Sequence, residues 1–436
     1  MMANRTIVLA LSLILWGALP SARSFSLRMS ATLPKSTLSH PNDPTRMLEY
    51  KNLDASVNGV LRTTKAGGTL LDDLASEHNF TPLERVVLTL GGNQENFLSA
   101  YYLREVEMSA EIKPADITPS ADGRLPLGVL DGKVKVNVGG LKCLKATLQV
   151  RIYDPIILRA YTTQTLALSV ILEMFNIRPK FTLHDAGRTA DGGIWRFFTL
   201  ECSEGLIDFE ILEEFEKDAF DLDLPNNRRI KSQVNNPNFP NRKLTKKATD
   251  DDTSIIRDEL TTTNTGNTLI YYLADKHDLT PLERVAVTST GQIQMMFSSY
   301  YLGKVDLNVT RNVQMDIPAE ELAMPKPPIV MFEREVLQTI SGHLWCKARS
   351  IVRVYDEEVL EAYNNTPVGN LLQKLNLNPV QELQDAGRSD DGGMWRFYTK
   401  ACPGLIEFDI LEEIPADGWD LPCLPEKQAA KSPLNL

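Results

Sequence analysis

The sequence predicts an α+β protein built from two tandem homologous domains, each an antiparallel sheet with flanking helices. Three observations carry that prediction. The chain matches itself at an offset of about 200 residues, far too long a period for a solenoid. Within each copy helix signals come first, and period-two alternation follows later, interrupted by one more helix. The 436-residue composition is 43% hydrophobic and 24% charged, with 25 Gly and 25 Pro, which excludes collagen-like, low-complexity and wholly disordered chains.

The match is densest at two places. Thr69–Leu103 aligns without gaps to Thr268–Leu302 with 17 identities in 35 positions. Asp185–Phe197 (DAGRTADGGIWRF) aligns to Asp385–Phe397 (DAGRSDDGGMWRF) with 10 of 13 identical. The expected layout is a signal peptide at 1–24, a transit segment and N-terminal extension at 25–65 and repeat domain 1 at 66–224. A flexible linker at 225–264, repeat domain 2 at 265–418 and a C-terminal tail at 419–436 complete it.

Each element has a local cause. Arg5, the apolar run Ile7 to Leu19 and the small residues Ala22 and Ser24 before Phe25 make a cleavable signal. That run is too short for a confident span, so the mature chain is expected to lack a transmembrane segment. Thr81-Pro82-Leu83-Glu84 and Thr280-Pro281-Leu282-Glu283 are helix starts, with a capping Thr, Pro in the first turn and Glu closing a capping box. A second helical piece ends in Tyr101-Tyr102-Leu103, matched by Tyr300-Tyr301-Leu302. Lys145–Tyr153 and Lys347–Tyr355 alternate as strands with one buried face. Pro155–Phe175 and Glu357–Leu375 read as helices. Asp185 to Gly193 reads as a turn, followed by a hairpin over Ile194–Glu201 and Leu206–Glu214.

The net charge of -11 argues against nucleic acid as the main partner. Five Cys without a CxxC pair exclude a disulfide framework and a zinc site, so neither metal nor cofactor is expected. HExxH, GxSxG, P-loop and GxGxxG motifs are absent. What both repeats share is Asp185, Gly187, Arg188, Gly192, Gly193, Trp195 and Arg196, recurring as Asp385, Gly387, Arg388, Gly392, Gly393, Trp395 and Arg396. Gly pairs permit tight turns, and Trp and Arg are favoured at interface hot spots, so these residues are candidates for a structural turn or an assembly contact. Trp419 joins them as the first residue of a tail able to hook into a neighbour.

Two resemblances emerge from these motifs. Thr280–Val285, Arg334-Glu335-Val336, Ala348-Arg349-Ser350, Pro367–Leu372, Glu382–Arg388 and Leu405–Phe408 resemble the chorismate-pyruvate-lyase-like family. That resemblance implies a six-stranded antiparallel sheet with flanking helices. It also implies a cofactor-free cleavage of chorismate to 4-hydroxybenzoate and pyruvate, with Arg334 and Arg388 as carboxylate clamps and Glu382 as the acid. Repeat 1 shows Val134-Lys135-Val136 near the Arg334 position and Thr182 in place of Glu382, so it lacks groups that this chemistry requires.

The second resemblance covers nearly the whole mature chain. Phe25 after the signal cleavage point, followed by a Ser/Thr-rich, basic stretch, resembles the bipartite plastid presequences of algae with secondary plastids. Scattered internal thiols fit a reducing stroma. Together with two tandem D-A-G-R…D-G-G-[IM]-W-R-F blocks and a short tail, this layout resembles the pyrenoid shell (PyShell) proteins of diatoms and haptophytes. It implies a non-enzymatic stromal protein at the pyrenoid periphery, partnered with copies of itself and with the Rubisco condensate or other pyrenoid proteins. Secretion is the alternative destination.

Overall fold

The computed structural model describes residues 35–49, 70–90, 94–104, 106–120, 123–164, 179–202, 205–222, 268–289, 293–366, 371–372, 374–375, 377 and 379–419. The signal and linker expectations, and all of the tail except Trp419, lie outside the described residues.

Repeat 1 opens with helices α1 (Leu70–His78), α2 (Pro82–Thr89) and α3 (Gln94–Tyr102). Strands β3 (Val106–Ala115), β4 (Gly128–Val138) and β5 (Leu141–Ile152) follow, then α4 (Pro155–Gln164). Strands β6 (Pro179–Arg188), β7 (Ile194–Cys202) and β8 (Ile207–Phe215) complete the unit. Repeat 2 repeats the order with α5 (Thr268–His277), α6 (Pro281–Thr288), α7 (Ile293–Tyr301) and β9 (Val305–Met315). A single turn, α8 (Ala319–Leu322), precedes β10 (Val330–Ile340), β11 (His343–Val354) and α9 (Glu357–Asn365). Strands β12 (Val380–Arg388), β13 (Met394–Cys402) and β14 (Ile406–Ile414) close it.

Each repeat therefore carries one antiparallel six-stranded sheet, in the orders β3-β4-β5-β8-β7-β6 and β9-β10-β11-β14-β13-β12. The α+β class and the duplicated arrangement are thus as expected. Both capping boxes form. Thr81 N–H donates to Glu84 Oε2 at 2.7 Å, and Glu84 N–H donates to Thr81 Oγ1 at 3.3 Å. The Thr280–Glu283 pair repeats this at 2.7 and 3.4 Å.

Three details differ from the sequence reading. Asp185-Ala186-Gly187-Arg188 is strand, and the turn begins only at Thr189. Gly187 is there because a Cβ would lie 2.9 Å from the Trp195 indole, not because the chain bends. Helix α9 stops at Asn365, with Thr366 already extended. Finally, the extension contains a hairpin, β1 (Lys35–His40) and β2 (Asp43–Glu49), that the sequence reading missed.

The repeats are joined through their helices. α2 lies against α7, and α3 against α6, so equivalent elements exchange partners. Arg85 Nη2 donates to Tyr300 O at 2.8 Å, and its counterpart Arg284 Nη1 donates to Tyr101 O at 3.0 Å. Such reciprocity is the signature of a two-fold contact. One apolar core spans the junction, including Val86, Val87 and Leu98 from one side and Ala286, Val287 and Phe297 from the other. Val87, Leu98 and Phe297 are at most 3% exposed. Burying side chains of this kind stabilises by about 1.5–3 kcal/mol each. The symmetry breaks at one polar pair: Thr89 Oγ1 meets Ser299 Oγ at 2.7 Å, whereas Ala100 occupies the position equivalent to Ser299.

Candidate functional site

The shared block is placed by β6–β7 and β12–β13, and its side chains turn inward. Arg188 Nη1 and Nη2 donate to the two oxygens of Glu84 at 2.9 Å each, and Nε and Nη2 donate to His78 O and Asn79 O at 3.0 Å. Arg388 repeats this on Glu283, His277 O and Asp278 O. The carboxylate that closes the capping box is thus also the partner of the block's first arginine. Burial pushes the Glu84 carboxyl up, but the bonds from Arg188 and Thr81 outweigh it and hold the group below its ordinary value.

Arg196 and Arg396 pin the other end of the same helices. Arg196 is 0% exposed, pairs with Glu213 at 2.7 Å and donates to the carbonyls of Val87, Leu88 and Leu90 at 2.9, 3.1 and 2.6 Å. Arg396 pairs with Glu412 and reaches Ala286 O, Val287 O and Ser289 O. These carbonyls lie at a helix C-terminus, where a cation adds a donor to groups that the helix leaves under-satisfied. Gly192 and Gly392 hold φ of +94° and +85° in the turn, and a Cβ on Gly193 would meet Phe215 O at 2.3 Å. Asp185 and Asp385 accept from the following backbone N–H at 3.0 and 2.9 Å. The block therefore clamps a helix onto a sheet, twice.

Trp195 and Trp395 differ. Trp195 is 3% exposed under the N-terminal hairpin, while Trp395 is only partly buried and donates Nε1–H to Arg388 O at 3.2 Å. Trp419 belongs to the core of repeat 2 rather than to a free tail, because its ring lies 4.6 Å from Phe297 and packs against the shared apolar cluster.

The residues of the lyase alternative do not converge. Directly paired residues share a sheet face. Arg334 pairs with Ser350, then Ile410, then Tyr398, then Leu383. Glu382 pairs with Thr399, then Asp409, then Ile351, then Glu333. Arg334 and Glu382 thus lie on opposite faces, and Arg388 is committed to Glu283. The register also corrects the repeat comparison: Gly128 pairs with Ile152 as Val330 pairs with Val354, so Gly132, not Val134, stands where repeat 2 has Arg334.

That correction exposes a real asymmetry. Around Gly132 lie Ile112, Leu148 and Tyr161, and a Cβ on Gly132 would meet Leu148 Cδ1 at 2.8 Å. The equivalent positions in repeat 2 are Arg334, Asn312, Ser350 and Tyr363, with Tyr363 O–H donating to Asn312 Oδ1 at 2.9 Å. Arg334 has no hydrogen bond or ion pair among the described residues, and desolvation pulls its guanidinium below the ordinary value. A largely apolar cluster in one repeat is a cationic, polar one in the other. Sequence reasoning missed Asn312 and Tyr363, whose only signal is the loss of Ile112 and Leu148 character once the register is known.

Nucleophilic chemistry has no support. Burial holds His184 down to about 3, and its Nε2 is spent on Thr199 Oγ1 at 2.9 Å. Cys202 and Cys402 are buried. Among the described residues no three His, Cys, Asp or Glu gather to hold a metal ion, and no helix is long and apolar enough to cross a membrane. No family model matches the chain, and no curated protein matches it.

Proposed function

We propose that this chain is a self-assembling structural protein of the plastid stroma, forming a sheet-like layer around the Rubisco-containing pyrenoid, and that it is not an enzyme. The observation that carries the assembly reading is the pair of long outer strands. β3 and β9 each end a sheet, and most of their residues are exposed. An unpaired edge offers backbone donors and acceptors to another chain. β3 is guarded by Glu107, Glu111, Lys113 and Pro114. β9 is not guarded in the same way: Leu307, Val309 and Val313 are 51%, 48% and 50% exposed along it. The growth contact is therefore assigned to β9. The plastid destination and the pyrenoid setting rest on the presequence and repeat resemblance, as does descent from the chorismate-lyase-like fold.

Purified mature chain is expected to form large ordered assemblies in negative-stain microscopy, and Leu307→Lys with Val309→Lys to leave it dispersed and folded. Removal of residues 420–436 is expected to weaken assembly. A fluorescent fusion in the source cell is expected to draw a rim around the pyrenoid. Diffuse stroma or secretion would overturn the setting, and assemblies indifferent to the β9 lysines would overturn the contact.

A second reading is favoured by the polar cluster at Arg334. A half-buried guanidinium beside Asn312, Ser350 and Tyr363 suits a small aromatic carboxylate, so repeat 2 is the place for a bound ligand, while Glu382 on the opposite face speaks against turnover by the acid that the lyase resemblance implies. Chorismate and 4-hydroxybenzoate titrated against mature chain test it by calorimetry. Heat lost in Arg334→Met supports the reading, and absence of heat removes it.

A further inference from the structure

The two sheets present similar outer faces, and among the described residues a strand hairpin covers only the first, whereas on the second Glu321 of α8 reaches Arg353 Nε at 2.8 Å. Over the first sheet lies the β1–β2 hairpin. Leu38 and Leu48 pack on Trp195, Phe197 and Leu212 as a separate apolar cluster. Ser36 O–H donates to Glu210, which also holds Arg151. The His40 ring sits edge-on to Trp195 at 4.9 Å, and Asn42 Nδ2 donates to Arg188 O at 2.6 Å. Under this cover Trp195, Phe197 and Leu212 are at most 5% exposed.

The apolar and charged centre of that receptor recurs in repeat 2. Trp395, Phe397 and Leu411 replace Trp195, Phe197 and Leu212 in the same register. Asp409 stands for Glu210 and holds Arg353 at 2.7 Å, as Glu210 holds Arg151, but Arg353 also donates to Glu321 of α8 at 2.8 Å. The carbonyl of Arg388 stands for that of Arg188. All three apolar residues are partly exposed, and the acceptor that Asn42 uses in repeat 1 is filled instead by the Trp395 indole N–H. The largest departure is Arg349 in place of Thr147, and its guanidinium lies along Glu413 at 3.1 Å.

We propose that this partly exposed face, centred on Trp395, Phe397 and Leu411, is a seat for the Lys35–Glu49 hairpin of a second copy of the chain. The occupant follows from the receptor, since the same side chains already select that hairpin on the first sheet. Reach is sufficient. Residues 50–69 separate the hairpin from α1, and twenty residues span at most about 70 Å. One hairpin and two like seats per chain make the contact an exchange, in which a hairpin leaves its own repeat 1 for a neighbour's repeat 2. Tethering favours the home seat, so the exchange gains weight as protein becomes concentrated. The proposal extends the self-association reading to a second surface, but its test does not require that layers form.

The probe is a fluorescein-labelled peptide of residues 35–49, titrated by anisotropy into dispersed full-length mature chain. Saturable one-to-one binding is expected, with at least tenfold loss in Leu411→Asp and with a peptide carrying Leu38→Asp. Hydrogen exchange on the unmodified chain keeps the test independent of how Leu411→Asp folds: added peptide is expected to protect β13 and β14. No binding at millimolar peptide, binding indifferent to Leu411→Asp in a folded variant, or protection confined to β7 and β8 would each overturn the proposal.

Discussion

Replacing Arg196 by Met tests whether the duplicated block is structural. Arg196 is fully buried against Glu213, whose side chain is 9% exposed, and it serves three carbonyls at the end of α2. The variant keeps the volume but strands a carboxylate and removes a donor from each carbonyl, although Gln94 Nε2 still reaches Val87 O and Leu90 O at 3.3 and 3.5 Å. Breaking a buried pair from one side costs about 3–5 kcal/mol. Glu412 in repeat 2 retains a second donor, Tyr398 O–H at 3.1 Å, where repeat 1 has Phe198. Arg396→Met is therefore expected to cost about 1 kcal/mol less than Arg196→Met, the worth of one hydrogen bond. Urea unfolding at neutral pH, followed by far-UV dichroism and by tryptophan emission, measures both. The double variant Arg196→Met with Glu213→Leu is expected to recover part of the loss, because it removes the stranded charge. A cost under about 1 kcal/mol for Arg196→Met, or a double variant as damaged as the sum of the singles, would refute the clamp.

Three further outcomes follow from the same geometry. Because the Glu84 carboxyl is depressed in the fold, its contribution is present above the unfolded value of 4.5 and is lost as pH falls through the lower folded value. Stability measured from pH 6 downward is expected to decline less steeply below about 4.5 in Arg188→Met than in the parent, and identical slopes would refute the pairing. Gly193→Ala drives a Cβ to 2.3 Å from the Phe215 carbonyl, a backbone atom that cannot swing away. A loss of about 1–3 kcal/mol is expected in thermal unfolding, and a neutral result would show that the β7–β8 corner yields. Burial pushes the Cys143 thiol up to about 11 and Cys346 well above its ordinary value. Neither is expected to react with an aromatic disulfide reagent at pH 8 before unfolding, and mass spectrometry locating adducts on them in native protein would contradict the packing.

How much of this was legible depended on whether a residue's role was local. The capping boxes at Thr81 and Thr280 are local, and sequence spacing alone places them. β5 and β11 have one wet and one dry face, so they alternate visibly. β3 and β9 expose both faces, leave no period-two pattern and escape notice. The hairpin hides for a related reason: Leu38 and Leu48 are its two buried apolar residues, sparse in a stretch that otherwise reads as targeting sequence. Gly187 reads as a turn because its cause, the Trp195 ring, lies on the next strand. Arg188 and Glu84 are 104 residues apart in sequence. That both recur in each repeat is visible, but that they touch requires the fold.

The duplication changes what kind of assembly is reasonable. Two like domains in one chain suggest similar ends that add copies indefinitely. The helices remove one such surface, because Arg85 and Arg284 each donate to the other repeat and close a reciprocal contact inside the molecule. A closed two-fold contact cannot propagate. If copies add as proposed, the growing surface lies away from the helices, and the surfaces there are unequal between the repeats. β3 carries proline where β9 has none and shows three exposed aliphatic residues, and one sheet face lies under a hairpin where its counterpart is partly exposed among the described residues. The repeats differ at those surfaces and around Arg334, while the clamp residues stay the same. Identity at Arg188, Arg196 and their counterparts thus marks what holds each domain together, and on the assembly reading proposed above the differing surfaces are where a second molecule would bind.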